Sequence, residues 1–250
     1  LTFSPTYGMY QVSAEINAVE LIQIPLNNEF QIDKKRVENY LNDKNLKLIF
    51  ICSPNNPTGN LLNADDIEFI LQNFTGVVMI DEAYIDFAEQ DSFLEKLEYY
   101  PNLIIIQTLS KAWGLAGIRL GIAFMNEEIL AYYNKVKSPY NISSVNQEMA
   151  LKSLNQPEEF DLNVKQILSE KTKMMIQLEE LKSIKKIYPT DANFVLIEVE
   201  NADEFYQKLV KKQIIIHNRN SAIPNCVRIT VGTPEENQIL INELKNIDNG

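Results

Sequence analysis

The 250-residue sequence has only two cysteines, Cys52 and Cys226, and a single histidine, His217. So few thiols and imidazoles supply no disulfide framework and no clustered metal-ligand spacing, and no metal is expected. Glycine is sparse too, eight residues in all, which excludes collagen-like and glycine-rich low-complexity architectures. No apolar run exceeds five residues (Leu48–Cys52 and Ile129–Tyr133), against the ~20 that a membrane helix requires. Basic charge is outnumbered: 23 Lys and Arg face 34 Asp and Glu, for a net charge of −11. A surface of that sign repels phosphate backbones and anionic lipid, so neither nucleic acid nor membrane is an expected partner. With few thiols and no signal-peptide pattern at its start, the chain reads as cytoplasmic.

What is present is a globular composition, 45% hydrophobic and 23% charged. A chain this long buries roughly 70–75% of its unfolded surface without covalent staples. Short apolar runs at Val19–Ile24, Leu46–Cys52, Val77–Ile80, Leu103–Gln107 and Ile118–Met125 alternate with amphipathic stretches at Asp33–Asn42, Ala64–Asn73 and Ser92–Tyr99. Runs with apolar residues on both alternating faces predict strands covered on both sides. Strand–helix alternation predicts an α/β fold, a mostly parallel sheet with helices on both faces. From Asp161 to Lys182 one helical face gathers Val164, Ile167, Leu168, Met174, Met175, Leu178 and Leu181, with the methionines read as core filler. Beyond it, Phe194–Val199, Ala202–Lys211, Ile214–Ile216, Val227–Val231 and a helix from Pro234 predict a smaller C-terminal α+β domain. The expected division is residues 1–138 as the large domain and 139–250 as linking helices plus the small one.

The chemistry-bearing residues follow the apolar runs, where parallel sheets bind ligands. Leu48–Cys52 leads into Ser-Pro-Asn-Asn-Pro-Thr-Gly (53–59), a turn stiffened by two prolines that presents Asn55 and Asn56. Val77–Ile80 leads into Asp81-Glu82-Ala83-Tyr84, where an acid is either a cap or a functional carboxylate. Apolar residues before Asp-Glu also suit a nucleotide hydrolase, but the required G-x-x-x-x-G-K-[ST] loop is absent from these residues. Leu103–Gln107 leads into Thr108, Ser110 and Lys111, then three glycines within eight residues and Arg119. An arginine at the start of an apolar run calls for an anion. Asn56, Asp81, Tyr84, Lys111 and Arg119 together match what pyridoxal phosphate needs: an amine, a carboxylate against the ring nitrogen, donors to the phenolic oxygen and a cation for the phosphate.

On PTYGMY (5–10), SPNNPTG (53–59), VVMIDEAYIDF (77–87), TLSKAWGLAGIRLG (108–121) and VRITVGTPEEN (227–237), the chain resembles the fold-type-I pyridoxal-phosphate aminotransferases, and among them the histidinol-phosphate branch. The resemblance implies pyridoxal 5'-phosphate as cofactor, with Lys111 forming the Schiff base and Asp81 facing the ring nitrogen. It implies that Tyr84 and Asn56 hold the phenolic oxygen, that Tyr7 stacks on the ring, and that Thr108, Ser110 and Arg119 take the phosphate. It assigns Arg228 to the substrate's anionic group, with Arg219 and His217 as secondary candidates; many relatives carry arginine where His217 stands. The implied reaction moves an amino group between histidinol phosphate and 2-oxoglutarate, giving imidazole-acetol phosphate and glutamate in histidine biosynthesis, in a homodimer. About 90–100 further residues are then expected ahead of Leu1, with a loop that cups the cofactor phosphate. Three alternatives stay open: an aromatic aminotransferase, an amino-acid phosphate decarboxylase, and a non-catalytic remnant that only binds cofactor or a partner chain. Trp113, Cys52 and Cys226 read as buried packing residues.

Overall fold

The computed structural model of the chain describes residues 1–249. Among these residues the larger sheet has six strands: β1 (Thr2–Ser4), β2 (Gln23–Pro25), β3 (Leu48–Cys52), β4 (Val77–Asp81), β5 (Leu103–Thr108) and β6 (Gly121–Met125). Their order is β2-β1-β3-β4-β5-β6, parallel throughout except for the antiparallel β5–β6 pair. A second, antiparallel sheet orders β7 (Ile184–Ile187), β8 (Phe194–Val199), β9 (His217–Asn218) and β10 (Cys226–Thr230) as β7-β8-β10-β9. The α/β class, with its mostly parallel sheet and smaller α+β part, is the one the sequence pattern predicts.

Three helices dress the larger sheet early in the chain: α1 (Met9–Ile16), α2 (Lys34–Leu41) and α3 (Ala64–Asn73). Ile49, Ile51, Val78, Ile80, Leu103 and Ile105 are wholly buried, and Val37, Leu41, Ile67 and Ile70 of α2 and α3 share their cluster. Each such side chain contributes roughly 1.5–3 kcal/mol by leaving water. The opposite pleat is less covered: Leu48, Phe50, Val77 and Met79 are half-buried. There the Tyr10 ring of α1 stacks on Phe50, centroids 5.0 Å apart. The Asp33 side chain caps α2 by accepting from the Lys35 N–H at 3.1 Å, and Asp65 and Asp66 favour the N-terminus of α3.

Helices α4 (Glu127–Val136), α5 (Ser144–Leu154) and α6 (Pro157–Glu179) lead to the smaller sheet, which α7 (Ala202–Lys211) and α8 (Pro234–Asn249) complete. Pro157 starts α6 where its missing N–H is no loss. Met174 and Leu178 pack with Val195, Ile197, Val227, Ile229, Leu209, Ile241 and Leu244 in one core; Met175 is partly buried against it. The methionines therefore fill the core as expected, and both cysteines are buried and free. Trp113 is only partly buried, its ring stacked on Phe160 with centroids 4.1 Å apart. Among the described residues, no helix is long and apolar enough to cross a membrane.

Several elements differ from the pattern. The strand expected at Val19–Ile24 shrinks to Gln23–Pro25, because Ala18 takes a left-handed φ of 52° and Val19 is exposed. Ile118 closes a 3₁₀ turn (Ala116–Ile118) before β6 begins at Gly121. Ser92–Tyr99 keeps only a 3₁₀ turn at Phe93–Lys96. Ile214–Ile216 forms no strand; the pairing falls on His217 and Asn218, which face Arg228 and Val227 of β10. Helix α6 starts four residues earlier than the apolar face suggests, at Pro157 rather than Asp161, and ends at Glu179 rather than Lys182.

Candidate active site

All eleven residues singled out in the sequence line one cavity of ≈ 600 Å³: Tyr7, Asn56, Asp81, Tyr84, Thr108, Ser110, Lys111, Arg119, His217, Arg219 and Arg228. Register explains the convergence. Cys52, Asp81 and Ile106 lie side by side at the ends of β3, β4 and β5, about 4.8 Å between strands. The loops that follow these ends therefore open onto a single hollow. The sheet β8-β10-β9 closes it from the other side with Arg228, His217 and Arg219.

The turn after β3 is fixed by its own hydrogen bonds. Asn55 is spent inside it: Nδ2 donates to Pro5 O at 2.9 Å and Thr58 Oγ1 at 2.8 Å, while Oδ1 accepts from Thr6 Oγ1 at 2.9 Å. Gly59, at φ 88°, lies so close to Thr190 that a Cβ would sit 2.5 Å from its Oγ1, so no larger residue fits. Asn56 alone of the pair reaches the cavity, and its Oδ1 accepts from Arg228 Nη1 at 2.6 Å.

The two acids at the end of β4 divide the alternatives between them. Glu82 is buried as a cap, accepting from the Phe93 N–H at 2.7 Å, from Gln107 Nε2 at 2.9 Å and from Ser92. Asp81 faces the cavity. Its Oδ2 accepts from Tyr10 Oη at 2.7 Å and its Oδ1 from the Ala83 N–H at 3.0 Å. Burial raises its pKa above the usual carboxylate value, against the pull of those two donors and of Lys111.

Lys111 Nζ stands 5.2 Å from the Tyr84 ring centroid, and among the described residues it makes no hydrogen bond or ion pair. Desolvation lowers its pKa, aided by the charges of Arg228 and Arg119 and opposed by Asp81. That moves an amine toward the unprotonated form a nucleophile or base requires. Burial pushes the Tyr84 hydroxyl up to about 12, with Arg228 opposing. Its ring packs edge-on against Phe194 at 5.1 Å, and Phe194 in turn carries the Arg228 guanidinium 4.6 Å from its centroid. Thr108 Oγ1 donates to Ser110 Oγ at 2.9 Å, and Arg119, in a left-handed conformation with φ 54°, donates from Nη1 to Ala116 O at 3.0 Å.

Two cations here keep a nitrogen without a partner among the described residues. The Nε atoms of Arg228 and Arg219 are both buried without a hydrogen bond. Desolvation lowers the pKa of each, and His217 is held below its ordinary value by burial, then Arg228, then Arg219. A half-buried pair of arginines with open donors is a receptor for an anion. Reasoning from the sequence missed Tyr10, whose hydroxyl meets Asp81 across 71 positions; the second tyrosine of Pro-Thr-Tyr-Gly-Met-Tyr was its only trace.

Residues 1–244 match the family described as aminotransferase class I and II. The chain belongs to that family. This aminotransferase chain is 47% identical over 249 residues to a histidinol-phosphate aminotransferase of Parabacteroides distasonis, covering 99% of itself and 72% of that protein. It is 48% identical over 247 residues to one from Flavobacterium psychrophilum, covering 98% of itself and 71% of the relative. The crystal structure of the histidinol-phosphate aminotransferase from Clostridium acetobutylicum superposes with a TM-score of 0.93 at 26% identity, over 99% of this chain and 77% of that one. The aminotransferase thus spans about 72% of the first of these relatives.

Proposed function

We propose that this chain binds pyridoxal 5'-phosphate and transfers an amino group between L-histidinol phosphate and 2-oxoglutarate, giving imidazole-acetol phosphate and L-glutamate. The carrying observation is that Lys111 and the buried acid Asp81 line one cavity with Arg228 and Arg219, each of which keeps a buried Nε without a hydrogen bond among the described residues. The residues present fit the cofactor. A hollow of ≈ 600 Å³ suits one such molecule plus a small substrate, and its donor set offers an amine, an acid, hydroxyls and a separate cation at Arg119. When bound, pyridoxal phosphate supplies an aldehyde carbon that exchanges amines and a ring that takes up the electron pair released at the substrate's Cα.

Each residue has a distinct task in this reading. Lys111 would hold the cofactor by its aldehyde carbon and would serve as the base and acid that moves the substrate's Cα proton. Asp81 keeps a proton on the ring nitrogen. Tyr84 and Asn56 would hold the phenolic oxygen, Tyr7 would pack on the ring, and Thr108, Ser110 and Arg119 would bind the phosphate. Arg228, with Arg219 and His217 beside it, receives the substrate's phosphate in one half-reaction and a carboxylate in the other; a planar guanidinium fits both anions bidentately. Residues 1–138 form the cofactor-binding part in this reading and 139–250 the linking helices and small part. It also places the chain in a cytoplasmic homodimer.

Borohydride reduction in the presence of pyridoxal phosphate, followed by peptide mapping, tests the reading: the label falls on Lys111. Label elsewhere, or none, ends the cofactor assignment. Steady-state assays with histidinol phosphate against phenylalanine test the substrate: kcat/KM is higher for histidinol phosphate, and the reverse result makes the chain an aromatic aminotransferase.

A further inference from the structure

The residue that governs Asp81 is not in the cavity wall. We propose that Tyr10 is a positioning residue whose hydroxyl, donating to Asp81 Oδ2 at 2.7 Å, keeps that carboxylate ionised and oriented toward the cavity. The value of an ionised Asp81 rests on the pyridoxal-phosphate reading; the hydrogen bond does not.

Tyr10 is clamped. Its ring stacks on Phe50 of β3 at 5.0 Å with planes 19° apart, and meets the Tyr7 ring edge-on at 5.7 Å. It is 7% exposed, so its hydroxyl has little freedom to turn to water. The bond to Asp81 has the length of a charge-assisted contact. Asp81 itself is 8% exposed, and its other oxygen is committed to the Ala83 N–H at 3.0 Å. Each carboxylate oxygen therefore has one neutral donor, and without Tyr10 one oxygen would be left bare in a poorly solvated place.

The surroundings leave few other groups to do this work. Burial favours the protonated acid, and of the effects opposing it the Tyr10 hydrogen bond is the largest, ahead of the Ala83 N–H and the Lys111 charge. Cys52 from β3 and Tyr84 after β4 both face Asp81, and burial pushes each up to about 12, so both are neutral near neutral pH. Burial, then Cys52 and Asp81, drive the Tyr10 hydroxyl far above its ordinary value, so it stays a donor. Lys111 is then the one charged neighbour among these groups.

Tyr10→Phe removes the hydroxyl and keeps the stacked ring. Carbon-13 NMR of the cofactor-free chain, with Asp81→Asn to assign the resonance, reads the carboxyl directly. The variant is expected to raise the proton affinity of Asp81 about tenfold or more, the worth of a hydrogen bond to a charged group. Pyridoxal phosphate binding weakens about tenfold in the same variant, and that loss disappears in an Asp81→Asn background. An unchanged carboxyl titration, or an equal loss of binding in the Asp81→Asn background, would reduce Tyr10 to a packing residue and overturn the proposal. If the carboxyl shift is seen while borohydride fails to label Lys111 in the parent chain, the inference stands and the wider functional reading falls.

Discussion

The six-stranded and four-stranded sheets meet at one cavity, and the groups they bring differ in how much of their hydrogen-bonding capacity is already used. Those on the parallel sheet are mostly saturated, the Lys111 amine excepted: both oxygens of Asp81, the turn around Asn55, and the Thr108–Ser110 pair all have partners. Those on the antiparallel sheet are not. Arg228 and Arg219 each keep a buried Nε without a partner, and among the described residues no carboxylate pairs with either. The difference separates two jobs. A preorganised half suits bond-making, where donors and acids must not reorganise. A half with unmet demand suits capture, where the guest completes the bonding.

Mutations on the two sides separate these jobs. Lys111→Ala should lower kcat for histidinol phosphate by about 10²–10⁴-fold, the scale of losing a positioned acid–base group, with the fold intact by circular dichroism. Next in size, Ile51→Ala in β3 and Ile197→Ala in β8 should each cost ~2–5 kcal/mol in urea unfolding, because both side chains are wholly buried. One shared transition would show the two sheets unfolding as one unit; two transitions would sharpen the contrast into separate stabilities. Arg228→Lys should raise KM by about 10–100-fold with kcat changed little, since a lysine loses the bidentate grip. A drop in kcat at constant KM would break the division of labour.

The smallest effect is spectroscopic. His217 is the only histidine, so its NMR titration is unambiguous. Its pKa lies below the ordinary value because of burial and the Arg228 and Arg219 charges. An anion between those arginines reverses their field, so added inorganic phosphate should move the midpoint upward. By linkage, phosphate then binds more tightly as pH falls through that midpoint. A midpoint indifferent to phosphate would place the anion elsewhere.

Much of this site was readable from the sequence, for a physical reason. Strands β3, β4 and β5 are buried enough that their side chains form unbroken apolar runs, and a polar residue after such a run marks the strand end. Asp81 and the segment around Lys111 announce themselves that way. The elements that escaped notice lack such a contrast. Strand β1 is three residues long, β7 reads Ile-Lys-Lys-Ile with its lysines exposed, and α1 leaves Met9, Val12 and Ile16 in water. Strand β6 was misplaced because Ile118, though apolar and buried, belongs to a turn. The Tyr10–Asp81 and Arg228–Asn56 bonds span 71 and 172 positions, and no local pattern records a partner that far away.

The last of these bonds settles a polarity. An amide has two dissimilar ends of nearly equal size, and alone it can swivel to show either. A guanidinium can only give hydrogens. Because Arg228 reaches Asn56 at 2.6 Å, the carbonyl end of that amide is taken, and the NH₂ end is what remains for a guest. Swapping Asn56 for aspartate would keep the bond to the arginine and turn the remaining giver into a second taker, so a lone pair arriving there would meet repulsion where it now finds a hydrogen.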